Sequence, residues 1–434
     1  MVSVEALLAV IGLVIVTGFV GGFLFEKLRI PDVLLLLGVG VLLGKWFGPE
    51  TQALAAAFAP YFGAIAIIMI LFEGGLTLEA GEIAGQLKNA FLLALLTFVI
   101  SMGWVAYAAI GWMGLGVMHS LMLGAIIGCT SSAIIIPTVQ RSRAPESIKA
   151  LAAMESVFSD TIAIVAMVAL VNIEIGLEVS ATTPVRQLLV PVGIALAVAF
   201  PVGLLWLNIL EWTKARPLSY LWTFALLVLL YAGVHWLHGS GALAVFFLAL
   251  LISNSEHLPK WLVLGKWIHS DPAVVEALAH ETVKWFHTEL TFLIRSFFFV
   301  YIGLLFRTEY IQGIAFWLMV GFTAVLLTSR SVSIWMVQRK REPLPRPLLW
   351  AFLPRGLTSA VLAIIPASRG IEGSDMFLSL TVPVIISTNI IMTIGVMFWE
   401  WRHGRHMPAS KEPSQTGRAP TPGPVPQVQP PPSA

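Results

Sequence analysis

Residues 124–139 read GAIIGCTSSAIIIPTV, and residues 348–366 read LLWAFLPRGLTSAVLAIIP. Each is an apolar run interrupted near its middle by residues that disturb a helix. In the first, Cys129-Thr130-Ser131-Ser132 separates two apolar halves, and Pro137 follows. In the second the interruption is Pro354-Arg355-Gly356. Proline removes a backbone donor and glycine loosens a helix, so peptide groups freed at either place need partners from protein or water. Broken spans at corresponding positions of two halves point to the binding region of a transporter.

The rest of the chain supplies the setting. Of its 434 residues, 57% are hydrophobic and only 12% charged, where a soluble domain carries about 25% charged residues. The apolar residues fall in blocks of about 20, the length that crosses about 30 Å of hydrocarbon as a helix, without the strict alternation of a barrel. The expectation is an all-α polytopic membrane protein with about thirteen transmembrane helices. They run roughly over 5–25, 31–48, 53–72, 89–111, 114–138, 148–172, 187–210, 218–237, 240–253, 288–306, 311–337, 347–367 and 376–400. The broken spans are then the fifth and the twelfth, seven apart. An odd offset reverses orientation, which predicts two inverted six-helix repeats around one linking span.

Charge fixes the orientation. Nineteen lysines and arginines fall in one set of alternate loops, four in the other, and Arg295, Arg330 and Arg355 lie within spans. By the positive-inside rule the N-terminus is outside, the C-terminus is cytoplasmic, and the site of residence is the cell membrane. Residues 1–400 form the transmembrane unit. Residues 254–287 read as a cytoplasmic amphipathic connection, from the helical spacing of Val274, Val275, Leu278, Val283 and Trp285. Residues 402–434 read as a disordered tail, with nine prolines from position 408 onward. Met1 to Glu5 lack the basic start of a signal peptide, so the first block is a retained span. The single Cys129 excludes an internal disulfide and a cysteine-based zinc site.

The sixth span carries Glu155 and Asp160 in AAMESVFSDTIAIVAMVAL (152–170). A carboxylate at membrane depth is paired, hydrated or functional. Five residues of helix turn the two side chains about 140° apart, so they face different surroundings. Ser156 shares the Asp160 face and Ser159 the Glu155 face. A carboxyl at the middle of a span can hold a proton or a hard alkali cation, but not both at once. Oxygen ligands suit such a cation, and Thr130, Ser131 and the carbonyls of the unwound fifth span can supply them. Glu155 has two candidate partners, Arg330 in the eleventh span and Arg355 in the twelfth, and the spacing does not choose between them. Glu73, in LFEGGLTLE (71–79), reads as an interfacial or vestibule charge.

Several segments resemble the monovalent cation:proton antiporter family, closest to its NhaP-like sodium/proton exchanger branch. They are IPDVLLLLGVGVLLG (30–44), LFEGGLTLE (71–79), ESVFSD (155–160), GSGALAVFFLALLISN (239–254), FFFVYIG (297–303), the Arg330 segment and PRGLTSAVLA (354–363). They occur in the expected order over about residues 10–400. The resemblance implies a homodimer in the lipid bilayer, each protomer divided into a dimerisation domain and a mobile core domain. It implies that Asp160 carries the ion, that Glu155 with Arg330 steadies the core, and that Thr130 is the threonine of the unwound fifth span. Two positions depart from the family pattern. Its Asn-Asp is Ser159-Asp160 here, and its Thr-Asp-Pro is Thr130-Ser131-Ser132. A single aspartate implies electroneutral exchange of one cation for one proton. The cation is Na⁺ on the branch resemblance, with Li⁺ open. K⁺ is the alternative, because a Ser-Ser run in the broken span is reminiscent of potassium-efflux relatives.

Other classes are weaker. An intramembrane enzyme would need Ser/His/Asp groupings at depth, whereas His235 and His238 lie at the outer edge of the eighth span, and no Gly-x-Ser-x-Gly or His-Glu-x-x-His motif occurs. A non-transporting sensor or assembly subunit on the same fold would keep the spans without using Asp160. The scattered basic residues give no nucleic-acid surface, and nothing in the sequence asks for an organic cofactor. Gly18 and Gly22 place a small-xxx-small face on the first span, in keeping with a dimer.

Overall fold

The computed structural model describes residues 12–21, 23, 32–76, 78, 80–176, 183–213, 219–255, 281–304, 306, 312–338 and 346–403. Among them every regular element is a helix: α1 (Gly12–Gly21), α2 (Asp32–Leu76), α3 (Ala80–Met113), α4 (Val117–Gly128), α5 (Ser132–Arg141), α6 (Glu146–Glu174) and α7 (Thr183–Thr213). There follow α8 (Ser219–Trp236), α9 (Gly241–Ser253), α10 (Glu281–Leu304), α11 (Ile314–Gln338), α12 (Arg346–Ala351), α13 (Leu357–Ser368) and α14 (Met376–His403).

Polarity is distributed inside out. Phe19, Trp46, Trp236, Trp317 and Trp401 are exposed, while Glu155, Asp160, Arg330 and Arg355 are buried. In water that arrangement would be costly on both counts. In a bilayer the exposed side chains meet acyl chains and headgroups, and Trp236, Trp317 and Trp401 near helix ends suit the interface. Several helices are long and apolar enough to cross a membrane, and the chain is a multi-pass membrane protein.

The helices pack in two groups. In one, α2 lies along α10 and packs with α9, which also meets α7 and α8. Its closest approach is at Gly40 and Gly303. A Cβ on either would run into the other helix's backbone, so only glycine lets the two pass so near. In the other group α6 is central, packed against α3, α4, α5 and α13, with α11 and α14 completing the wall. Beyond its first turn, the span made by α4 and α5 is almost wholly buried.

The structure departs from the sequence reading in one element. Two spans are expected over 31–48 and 53–72, but α2 runs unbroken for 45 residues through Pro49 and Pro60. Each proline costs one internal hydrogen bond, and its fixed φ remains compatible with a helix. The two apolar stretches of α2, Leu35–Trp46 and Ala64–Leu76, overlap the two expected spans. At the other end of the scale α9 has 13 residues. Ser240 caps it by accepting the Leu243 N–H at 3.3 Å. Helix α10 begins at Glu281, before the boundary expected at 288. Most of the 254–287 connection and nearly all of the 402–434 tail lie outside the described residues.

Candidate functional site

The two interruptions meet. Helix α4 stops at Gly128 and α5 starts at Ser132, with Cys129 and Ser131 in extended backbone between them. Serine and threonine hydroxyls compete for nearby peptide groups, which weakens helix at such a run. Helix α12 stops at Ala351 because Pro354 disfavours helical backbone at Leu353 and donates no N–H itself. The Ser131 N–H donates to the Pro354 carbonyl at 3.0 Å, joining the two breaks. A Cβ on Gly356 would collide with the Ser131 side chain, so the crossing requires glycine there.

Side chains from neighbouring helices take up the peptide groups these breaks release. Ser159 Oγ accepts the Thr130 N–H at 3.0 Å. Thr388 Oγ1 accepts the Arg355 N–H at 3.1 Å, and Asn389 Nδ2 donates to the Arg355 carbonyl at 2.9 Å. An unwound backbone in a dry interior persists only with such partners.

Asp160, at the middle of α6, faces this crossing. Its Oδ2 accepts both the Ser132 hydroxyl, at 2.5 Å, and the Ser132 N–H, at 3.3 Å. Thr358 is the next hydroxyl beside the same carboxyl. Ser132 opens α5 and Thr358 lies in the first turn of α13, so the carboxylate sits between the N-termini of two half-helices. That is where unpaired N–H groups and the helix dipole favour negative charge. Its other oxygen, Oδ1, is buried and accepts no hydrogen bond; the hydroxyls of Thr130 and Ser131 are likewise buried without partners.

Arg355 complements this arrangement with opposite sign. Its Nε donates to the Ile127 carbonyl at the end of α4, at 2.5 Å, and its Nη1 to the Leu353 carbonyl just past α12, at 2.9 Å. A cation thus covers the C-terminal ends of the first half-helices while a carboxylate covers the N-terminal ends of the second.

Glu155, on another face of α6, is engaged elsewhere. Arg330 grips it with two hydrogen bonds, Nη1 to Oε1 at 2.6 Å and Nη2 to Oε2 at 2.8 Å. Arg330 also donates through Nε to the Leu349 carbonyl at 3.1 Å, and Nη1 lies 3.5 Å from the Thr97 hydroxyl. Both ions are buried, and the planar fork matches the carboxylate edge to edge. The partner of Glu155 is therefore Arg330, and Arg355 bonds to backbone.

Thr130, Ser131, Ser159 and Asp160 come together at the crossing. Ser156 does not join them through its hydroxyl, which donates to the Ala153 carbonyl at 2.8 Å. Helical phase places Ser156 on the Asp160 face, but its own backbone is the nearer acceptor. Glu73 is half-buried in the last turns of α2, next to Gly74, which meets Ile136 of α5. The sequence marks Ser132 only as part of the interruption, and gives no site role to it or to Thr358, Thr388 and Asn389. Ser132 was open to discovery, because the first hydroxyl after a helix break lies where an anion is favoured.

Comparison with known proteins follows the same lines. The family described as "Sodium/hydrogen exchanger, transmembrane" matches residues 13–400. The chain belongs to that family. Among curated relatives of this exchanger-family chain is Na(+)/H(+) antiporter 1 of Methanocaldococcus jannaschii, 23% identical over 401 residues and 88% of each chain. Another is K(+)/H(+) antiporter NhaP2 of Shewanella oneidensis, 23% identical over 382 residues, where the match spans 84% of this chain but 61% of that longer relative. The solved sodium proton antiporter MjNhaP1 of M. jannaschii at pH 8 shares the fold. Its TM-score is 0.64 at 22% identity, with 92% of this chain and 96% of that one covered.

Proposed function

We propose that this chain exchanges a monovalent cation for protons across the membrane it spans, with Na⁺ as the cargo and Asp160 as the carrier. One observation carries the reading. A lone carboxylate lies buried where two broken helices cross, with one oxygen held by Ser132 and the other open among unpartnered hydroxyls. A proton or an alkali cation neutralises that carboxylate equally well, and each excludes the other. Alternating exposure of such a group couples the two flows in opposite directions. Oxygen ligands from Thr130, Ser131, Ser159 and Thr358 suit a hard cation. Glu155 is spoken for by Arg330, which leaves Asp160 as the one exchangeable carboxylate at the crossing among the described residues and supports a ratio of one cation to one proton. K⁺ is the second reading, favoured by the serine at position 131 and by relatives named as K⁺/H⁺ antiporters.

The same reading makes the α6 group the mobile core and the α2–α10 group the dimerisation domain of a homodimer. The N-terminus lies outside and the C-terminus in the cytoplasm, which the loop charges support. The two inverted repeats draw support from the pairing of one break with the other.

Reconstitution in liposomes with a trapped pH dye tests the proposal. With a proton gradient imposed, Na⁺, Li⁺ or K⁺ should dissipate it, choline should not, and Asp160→Asn should abolish the response. Folded protein that responds to no alkali cation at any pH tried would sink the exchanger reading.

A further inference from the structure

Helix α14 carries three consecutive polar residues in an otherwise apolar stretch, Ser387-Thr388-Asn389, and each is committed to a different bond. Ser387 Oγ and Thr323 Oγ1 of α11 share a hydrogen bond of 2.7 Å. Thr388 accepts the Arg355 N–H at 3.1 Å while donating its own proton to the Val384 carbonyl at 2.7 Å. Asn389 donates to the Arg355 carbonyl at 2.9 Å and to the Ile385 carbonyl at 2.7 Å, using both amide protons. Both groups of the Arg355 backbone, N–H and C=O, are thus clasped by adjacent residues of one helix. Thr388 and Asn389 are fully buried.

The clasp acts on more than local backbone. Pro354, one residue away, receives the Ser131 N–H, and Gly356, on the other side, lies against the Ser131 side chain. Between them the Arg355 side chain reaches Ile127 and Leu353, and its remaining nitrogen, Nη2, is buried without an acceptor. Fixing the peptide of Arg355 therefore fixes a full positive charge at the crossing where Asp160 lies.

We infer that Thr388 and Asn389 are positioning residues for transport, which hold the Arg355 guanidinium on the carbonyl end of α4 and so keep it off the cation-binding carboxylate. Without the clasp, the break can shift and the unsatisfied Nη2 turns to a carboxylate; Glu155 is already held at both oxygens by Arg330, which leaves Asp160 with its open Oδ1. A guanidinium bonded to that carboxylate competes with the cation. The inference rests on the antiport reading for its functional consequence and on geometry alone for the clasp.

The test uses the full-length protein in liposomes with Thr388→Val, Thr388→Ser and Asn389→Leu beside wild type. Thr388→Val and Asn389→Leu should raise the half-saturating cation concentration about threefold or more, the factor one neutral hydrogen bond supplies, with the maximal rate much less affected. Thr388→Ser keeps the acceptor and should stay close to wild type. A merely structural role would lower the amount of active carrier and leave half-saturation unchanged, and that result overturns the inference. Deuterium uptake of the peptide covering residues 352–358 provides a second readout that needs no transport. It should rise in Thr388→Val and not in Thr388→Ser; equal uptake in both refutes the clasp. If wild type moves no cation while uptake responds as stated, the antiport reading falls and the clasp stands.

Discussion

Removal of one member of the Glu155–Arg330 pair should be among the most damaging single changes in the molecule. Two charge-assisted hydrogen bonds, of 2.6 and 2.8 Å, join ions that are 0% and 1% exposed. Glu155→Gln strands a guanidinium that keeps only Leu349 and Thr97, and Arg330→Met strands a carboxylate. A buried charge left without its partner costs about 3–5 kcal/mol. The double variant strands neither, so it should be less destabilised than the two singles combined, by about 3 kcal/mol. The two singles should also differ with pH. A stranded carboxylate can take a proton from solution, whereas a guanidinium cannot give one up. Arg330→Met should therefore recover stability on acidification, and Glu155→Gln should not. Reversible unfolding in mixed detergent micelles, followed by tryptophan fluorescence at mildly acidic and mildly alkaline pH, measures all four proteins. A single variant within about 0.5 kcal/mol of wild type, or a double variant as unstable as the sum, would refute the reasoning.

Three further outcomes follow from the geometry. Ser132→Ala removes a charge-assisted bond to Asp160 Oδ2 that competes with the cargo, so half-saturation by the cation should fall about threefold to tenfold in the liposome assay; a rise would make Ser132 a ligand instead. Gly303→Ala drives a methyl into the α2 backbone and should cost about 1–3 kcal/mol in the micelle assay. Gly38→Ala has nothing within 4 Å of the new methyl and should be neutral or slightly stabilising; equal effects would mean that the α2–α10 approach is not as close as described.

How much of this could be read from the chain depends on the range of each cause. The breaks are local chemistry. Pro354 with Gly356 two residues on, and the hydroxyl run after Cys129, each combine several helix-weakening residues at one place, so both interruptions are legible. The separation of Glu155 from Asp160 is helical arithmetic, and they do meet different partners. The choice between Arg330 and Arg355 depends on how α11 and α12 lie against α6, a tertiary fact with no sequence period. Ser156 was placed by phase alone, which says which way a side chain leaves the helix and not which acceptor it finds. Thr388 and Asn389 look like ordinary polar decoration of an apolar span until the unwound peptide beside them is seen.

Arg330 has a mechanical consequence. Through one side chain it lashes its own helix, α11, to α6 at Glu155, to α12 at Leu349 and towards α3 at Thr97. Sliding any of these past another would strand a charge far from water, at an expense comparable to the stability of a whole domain. The helix bearing Asp160 therefore cannot travel by itself. If Asp160 is the carrier proposed above, a motion that turns that carboxylate from one face of the membrane to the other carries the lashed helices as a single body. On the same antiport reading, its slip planes lie where apolar surfaces meet, as where Gly74 of α2 lies against Ile136 of α5.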